Sequence, residues 1–420
     1  MWHTPMSSRS SQKVCVVGYA LNPKKLRKAS IVSSCGNNTN GEGEREEKVS
    51  PNPSGPWCGG GLATIVGSSS NYVDGVSFSP LIGGTDFADD AIDNFTKDCN
   101  VILHKLTEDI DKEEEKSQAK LKKLEQYLRN HPETVIVDPI ENVRHVVNRE
   151  RTSSCLENVF HKIGEDSTFA QPNFVIFYGA LSTVNGEKND KDKNCITELM
   201  KHSNIQYPVI CKPLKACGTA DSHKMVIVLS ENGFDGVKSP FLIQQYYDHD
   251  EEFYKCYVIG EDVMVSKRLS LPNLSPHQIT LAENGVHSIH FDSRHPYPTL
   301  SDFGIDIGDT ADTAAEVRDT VQTHDNDTTN FEQVAKEISS EFGLSLFGFD
   351  VIVPVENCVP SSSSSKSCTG TDVTFSGRKS LVIDVNFFPS YKEVPDFPSR
   401  LRAYLRKASG FPPWIKDEDV

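Results

Sequence analysis

Apolar residues in this chain fall into short continuous runs rather than long helical stripes. That pattern predicts many buried strands joined by helices and polar turns. Val14-Cys15-Val16-Val17-Gly18-Tyr19 opens a first strand, expected over residues 14–21. Asn100 to Leu106 is a second, and Thr134-Val135-Ile136-Val137 is a third, stopped by Asp138-Pro139. Between these two, Leu121, Leu124 and Leu128 recur at helical spacing, predicting an amphipathic helix over 109–129 that Pro132 ends. Its acid and lysine runs read as a solvated face. A second unit is expected from about Arg149, with strands over 207–212, 224–229, 241–246 and 255–260. The turn Gly260-Glu261-Asp262, running into Val263 to Arg268, is a hairpin signal. Phe331, Val334, Ile338 and Phe342 trace a helix that Gly343 caps. Strands over 345–355 and 381–386 follow, and a last helix over 396–406.

Polar stretches punctuate these elements. Residues 1–13 read as a frayed tail. Residues 30–80 are rich in Ser, Gly, Asn and Glu, residues 302–330 in Asp and Thr, and 357–379 hold five consecutive serines, Ser361 to Ser365. The first and last read as disordered insertions and the middle one as a mobile loop. Gly59-Gly60-Gly61 lacks the flanking strand and helix that a phosphate loop needs. The organisation expected is α/β (α+β): an N-terminal α/β domain over 14–140 with its insertion at about 30–80, a central unit over 141–270, and a C-terminal unit over 271–420.

Length and charge narrow the function. The 420 residues are too many for one small core. A formal charge of −16 argues against general attraction to nucleic acid or an anionic membrane, although a cleft can still hold an anionic small ligand. No run approaches the ~20 apolar residues of a membrane span. The N-terminus has no secretory pattern. The 11 cysteines form no CxxC pair and no His/Cys ligand spacing, so reduced thiols and a cytoplasmic location are expected.

The strongest chemical signal lies in the last two strands. Asp384 and Asn386 are two apart, so on a strand they share a face, and Asp350 closes a similar apolar run, Leu346-Phe347-Gly348-Phe349. If these strands are antiparallel neighbours, three hard oxygen donors converge, a set that suits Mg²⁺. Read alone, Asp384 is better explained as the start of a turn; three donors on paired strands reverse that. Lys212 ends the buried strand Val209-Ile210-Cys211. Its ammonium needs an anion such as a nucleotide phosphate there, or else it snorkels to the surface. Phe241 to Tyr247 leads from an apolar strand into Asp248-His249-Asp250-Glu251-Glu252; it can offer backbone groups to a purine or be a core strand with a polar exit. Basic residues recur at strand ends and turns, among them Lys25, Arg149, His223 and Lys255. Facing one cleft they would bind a polyanion; scattered, they are solvated charges. No Ser/His/Asp or Cys/His arrangement stands out.

Taken in order, several segments resemble the inositol-tetrakisphosphate 1-kinase family, also called inositol 1,3,4-trisphosphate 5/6-kinase. They are Val17-Gly18-Tyr19 with Lys24-Lys25, Ile102 to Thr107, His131 to Thr134 with Asp138-Pro139, Cys211-Lys212, and Gly218-Thr219 with Ser222-His223. Tyr254-Lys255, Val258 to Glu261, Ser345 to Asp350 and Val382 to Asn386 complete the series. The resemblance runs from Val14 to the last helix and leaves out the tail and the low-complexity stretches.

The resemblance implies an ATP-grasp fold, with residues 141–270 and 271–420 as its two subdomains. It implies ATP as co-substrate and Mg²⁺ as cofactor. Arg149, Lys212, Gln244, Gln245, Tyr246, Lys255, Ser270 and Ser293 match the family's ATP positions. Lys25, His223, Lys255 and Asn386 match its inositol phosphate contacts, and Asp350, Asp384 and Asn386 its metal ligands. Three departures stand out: the Gly218–His223 turn is one residue longer than in some members, Asn148 stands where an Asp precedes the arginine, and Ser390 replaces a Gly. The activity expected is an ATP-dependent inositol polyphosphate kinase acting on tris- and tetrakisphosphates, with Lys212, Asp384 and Asn386 at the catalytic centre, working by positioning and electrostatics as a monomer. An ATP-grasp carboxylate–amine ligase and a non-catalytic inositol phosphate sensor are the rivals.

Overall fold

The computed structural model of the protein describes residues 13–21, 72–80, 99–179, 183–184, 187–188, 190–305, 328–355 and 379–414. The chain divides into two compact units. The smaller holds residues 1–106, 114–138 and 390–420, and the larger holds 107–113 and 139–389.

In the smaller unit five strands form one sheet: β1 (Cys15–Leu21), β2 (Tyr72–Val73), β3 (Val76–Pro80), β4 (Val101–Lys105) and β5 (Val135–Val137), in the order β2-β3-β1-β4-β5. The pairs of β1 with β3 and β4, and of β4 with β5, are parallel. Buried Val17, Val101, Ile102 and Leu103 make the near-continuous apolar runs of a covered parallel sheet. The stretch expected to be structureless to about residue 80 therefore ends in a hairpin, and its described part, 72–80, is sheet. The remainder of that insertion, the tail 1–12 and most of the stretches at 302–330 and 357–379 lie outside the described residues.

The larger unit carries β6 (Phe169–Ala170), β7 (Phe174–Phe177), β8 (Thr183–Val184), β9 (Glu187–Lys188), β10 (Val209–Pro213), β11 (Lys224–Val228), β12 (Phe241–Gln245), β13 (Glu252–Ile259), β14 (Asp262–Leu269), β15 (Ser288–Asp292), β16 (Leu346–Ile352) and β17 (Ser380–Phe387). Apart from the β8–β9 pair they form two sheets. One runs β15-β11-β10-β12-β7, antiparallel throughout. The other runs β14-β13-β16-β17-β6, antiparallel except at β6.

Alternation along β10 explains why the first sheet is apolar on both sides. Val209 and Cys211 face a cluster with Ile196 and Met200 from the helix Asp190–His202, while Ile210 faces Met225, Ile227, Leu274 and Leu281. In the second sheet one face lies under the helix Thr328–Phe342, whose Phe331 meets Phe169 and Tyr254 edge-on or tilted. Residues of opposite parity, beginning with Lys255, point away from that helix.

Two expected boundaries move. The division at 270 fails because β13 and β14 belong to the β16–β17 sheet, whereas β15 returns to pair with β11. The chain thus changes sheet between β12 and β13, again between β14 and β15, and once more between β15 and β16, and local pattern cannot show it. Residues 390–420 join the smaller unit, where the helix Phe397–Ala408 buries Phe397, Leu401 and Leu405. The helix expected over 109–129 is two pieces, Thr107–Asp111 and Glu115–Asn130.

Candidate active site

The register of the second sheet assembles the carboxylates. Lys255 on β13 lies opposite Asp350 on β16, and Asp350 lies opposite Asp384 on β17. Directly paired residues share a face, so the three side chains form one row across three strands. Asn386, two residues along β17 and opposite Gly348, extends the row on the same face. The Asn386 Nδ2 stands 3.4 Å from Asp384 Oδ2, and Asp384 Oδ1 accepts from the Val385 N–H at 3.0 Å. The Lys255 Nζ donates to Asp350 Oδ1 at 2.8 Å, with 19% and 18% of the two side chains exposed. Burial works to lower the Lys255 ammonium, but the Asp350 carboxylate more than offsets it and leaves the group above its ordinary range.

Lys212 comes to this row from the other sheet. It is 6% exposed, and its Nζ donates to the Ile383 carbonyl at 3.1 Å, beside Asp384. Burial pushes its ammonium down to about 8, against the pull of Asp384 and with the push of Arg149. Arg149 opens the helix Arg149–Ile163, whose first turn is capped by Asn148 Oδ1 accepting from Glu150 and Arg151. Its guanidinium donates to the carbonyls of Pro213 at 2.7 Å, Lys215 at 3.1 Å and Ser222 at 3.3 Å. Its Nε is buried with no hydrogen-bond partner. Burial lowers this guanidinium, and Asp384 and Cys217 oppose that. A buried lysine and arginine that both feel the Asp384 charge are stable only where anions meet them.

The remaining candidates divide. His223 ends a one-turn helix, Ala220–His223, fixed by the Thr219 hydroxyl accepting from Ser222 N–H at 3.2 Å. Its carbonyl accepts from Ser293 N–H at 2.9 Å, and its Nδ1 stands 3.4 Å from Ser293 Oγ, so His223 and Ser293 sit together. Burial, then Arg294 and Arg149, lowers the His223 imidazole. Gln244 is buried on β12. The side chains of Gln245 and Tyr246 are committed to the scaffold: Gln245 Oε1 accepts from Gln206 N–H at 2.7 Å, and Tyr246 Oη donates to the Pro272 carbonyl at 2.7 Å. Ser270 Oγ pairs with His249 Nε2 at 2.6 Å. Lys25 lies outside the described residues.

Sequence reasoning passed over Tyr297. Its ring packs edge-on against Phe253 and Phe291, centroids 6.4 and 5.9 Å away. Phe253 shares its face of β13 with Lys255. Burial, then the Asp350 charge, pushes the Tyr297 hydroxyl up to about 12. Nothing in Pro296-Tyr297-Pro298 signals this, because the contact depends on β15 returning to the other sheet.

Two sheets, a buried lysine from one and a carboxylate row on the other make this an ATP-grasp protein. Residues 187–358 match the family model described as the inositol 1,3,4-trisphosphate 5/6-kinase ATP-grasp domain. The chain is 27% identical over 309 residues to inositol-tetrakisphosphate 1-kinase of Danio rerio, covering 73% of this chain and 66% of that one. It is 27% identical over 279 residues to inositol-tetrakisphosphate 1-kinase 1 of Zea mays, covering 66% and 69%. The chain spans about two thirds of the length of the relatives it matches. An N5-carboxyaminoimidazole ribonucleotide synthetase solved with ADP aligns over 97% of this chain and 80% of its own, at 10% identity and a TM-score of 0.48. Over residues 187–358 the chain is thus similar to inositol 1,3,4-trisphosphate 5/6-kinases, and over about two thirds of its length to inositol-tetrakisphosphate 1-kinases.

Proposed function

We propose that the protein is an ATP-dependent inositol polyphosphate kinase that moves the γ-phosphoryl group of ATP to a ring hydroxyl of inositol tris- and tetrakisphosphates. The observation that carries this is the Lys255–Asp350–Asp384 row with Lys212 beside it, in a chain whose relatives bear that name.

The donor set fits a divalent cation. Two partly exposed carboxylates and one amide oxygen on one sheet face are hard ligands, and Mg²⁺ needs only one or two carboxylates when phosphates and waters fill its other positions. Among the described residues no group of three or more His, Cys, Asp and Glu is placed to hold a metal ion. The Lys255 ammonium already stands on Asp350 as a positive partner. Bound by Asp350, Asp384 and Asn386, Mg²⁺ would supply charge neutralisation to the nucleotide's phosphates.

The chain's own residues do the rest. Lys212 and Arg149 hold fixed positive charge in a buried setting, where it acts strongly on phosphoryl oxygens and needs no reorganisation during transfer. His223 and Lys255 grip the phosphates of the acceptor, and Ser270 and Ser293 border the nucleotide. Positioning the acceptor hydroxyl in line with the γ-phosphorus then makes the step effectively unimolecular, with no covalent enzyme intermediate. Cationic side chains at the acceptor side favour a phosphate-rich substrate over the amine or carboxylate of a ligase. No helix among the described residues is long and apolar enough to cross a membrane. A monomer in the cytoplasm completes the proposal. The test is turnover of ATP with a panel of inositol phosphates, with amino acids as the control; ADP release with amino acids alone would replace the kinase by a ligase.

A further inference from the structure

Two of the chain crossings between the sheets of the larger unit are tied to each other. The first, residues 246–251, leads from β12 to β13, and the second leaves β14 at Ser270. The Asp248 carboxylate accepts from Leu274 N–H at 2.8 Å and from Ser275 N–H at 3.1 Å. Asn273 Oδ1 accepts from the N–H groups of His249 and Asp250, both at 2.9 Å, and its Nδ2 donates to Asp250 Oδ1 at 3.0 Å. Ser270 N–H donates to the Glu251 carbonyl at 2.6 Å. Asp250 and Glu251 hold left-handed backbone, at φ 54° and 60°, a strain that this network sustains.

His249 sits inside the lacing, 5% exposed, with both ring nitrogens engaged. Nδ1 lies 2.6 Å from the Tyr247 carbonyl, and Nε2 lies 2.6 Å from Ser270 Oγ. A carbonyl can only accept, so Nδ1 carries the proton. Burial keeps the imidazole below its ordinary range, against the opposing Tyr247 carbonyl and the Asp248 and Asp250 charges. The neutral ring then has a bare Nε2, and the Ser270 hydroxyl must donate to it.

We infer that His249 is a positioning residue for the nucleotide: by taking the Ser270 hydroxyl hydrogen, it leaves that oxygen able only to accept, so Ser270 selects a hydrogen-bond donor on the nucleoside. The donor is a sugar hydroxyl or a base amine. A loop that merely needed bracing has Asp248 and Asn273 for the task; the imidazole adds a fixed direction to one hydroxyl. The inference rests on the proposed function only in taking Ser270 as a border of the nucleotide site.

Calorimetric titration of the full chain with ADP and Mg²⁺ tests it, beside 2′-deoxy-ADP, 3′-deoxy-ADP and inosine diphosphate. The first two each delete one sugar hydroxyl, and the third replaces the base amine by a carbonyl, so they also tell sugar from base. The wild type should bind one of them about tenfold more weakly than ADP, the worth of one hydrogen bond. Ser270→Ala and His249→Leu should bind ADP as weakly as that analogue and lose the preference, and the double variant should be no weaker, as expected of groups acting together. His249→Gln, whose amide oxygen can accept the same hydroxyl, should restore the preference. Ser270→Ala deletes one oxygen and leaves the ring in place, so it decides the matter if the His249 variants do not fold. Equal binding of all four nucleotides by the wild type, or a preference that survives in Ser270→Ala or His249→Leu, overturns the inference. Failure of the wild type to bind ADP at all would instead overturn the proposed function.

Discussion

Lys212→Met removes a charge from the buried end of β10 and keeps most of the side-chain volume. Burial takes this ammonium from near 10.5 to about 8. At about 1.4 kcal/mol per unit, holding the charge in the folded chain costs on the order of 3 kcal/mol. The unfolded chain keeps the proton up to about pH 10.4, whereas the folded chain releases it near 8. Between these values the unfolded state binds more protons, so this group makes the wild type more stable as pH rises through the window and is a liability below it. The methionine variant should therefore match or exceed wild-type stability at pH 7, by up to ~3 kcal/mol. That advantage should fade from about pH 8 and vanish by about 10.5. Turnover should fall by about 10²–10³, the loss usual when one preorganised charge leaves a phosphoryl or oxyanion site. Urea unfolding at several pH values and the rate of ADP formation check the two halves. A variant more than about 1 kcal/mol less stable at pH 7, a stability gap that ignores pH, or unchanged turnover would refute the reasoning.

Asn148→Ala removes the oxygen that accepts from Glu150 and Arg151. It should cost about 1 kcal/mol of stability, read from the shift of the denaturant midpoint, and Asn148→Asp should restore it. In the smaller unit, Arg406 is 1% exposed and donates to the carbonyls of Lys13, Gly75 and Pro412, with its guanidinium over the Phe411 and Trp414 rings. Arg406→Met orphans those acceptors and should destabilise by roughly 3 kcal/mol or more, read by chemical unfolding; a loss under about 1 kcal/mol would contradict this packing.

The carboxylate row was legible because strand parity is local: Asp384 and Asn386 had to share a face, and the apolar run before Asp350 marked the partner strand. Lys212 was legible for a related reason, as a charge at the end of an apolar run. What the pattern could not carry was pairing at a distance. The return of β15 to β11 places His223 beside Ser293 and brings Tyr297 over Phe253, and none of it follows from periodicity. Gln245 and Tyr246 match ATP positions by resemblance alone, and the bonds of their side chains to the Gln206 N–H and the Pro272 carbonyl are long-range packing that the pattern does not carry. Glycine and serine enrichment hid the hairpin at 72–80, because its pairing with β1 reaches across some fifty intervening residues. The His249–Ser270 pair escaped notice because a histidine between two aspartates reads as a polar exit.

The claim on which the account turns is that the Asp350–Asp384–Asn386 row supports phosphoryl transfer to inositol phosphates. The direct measurement incubates the wild type and Asp384→Ala with ATP, Mg²⁺ and inositol tris- to hexakisphosphates and resolves the products by isomer. The wild type should yield ADP and an inositol phosphate with one phosphate more, and the variant should still bind the acceptor and yield no product. Equal turnover by Asp384→Ala would contradict it.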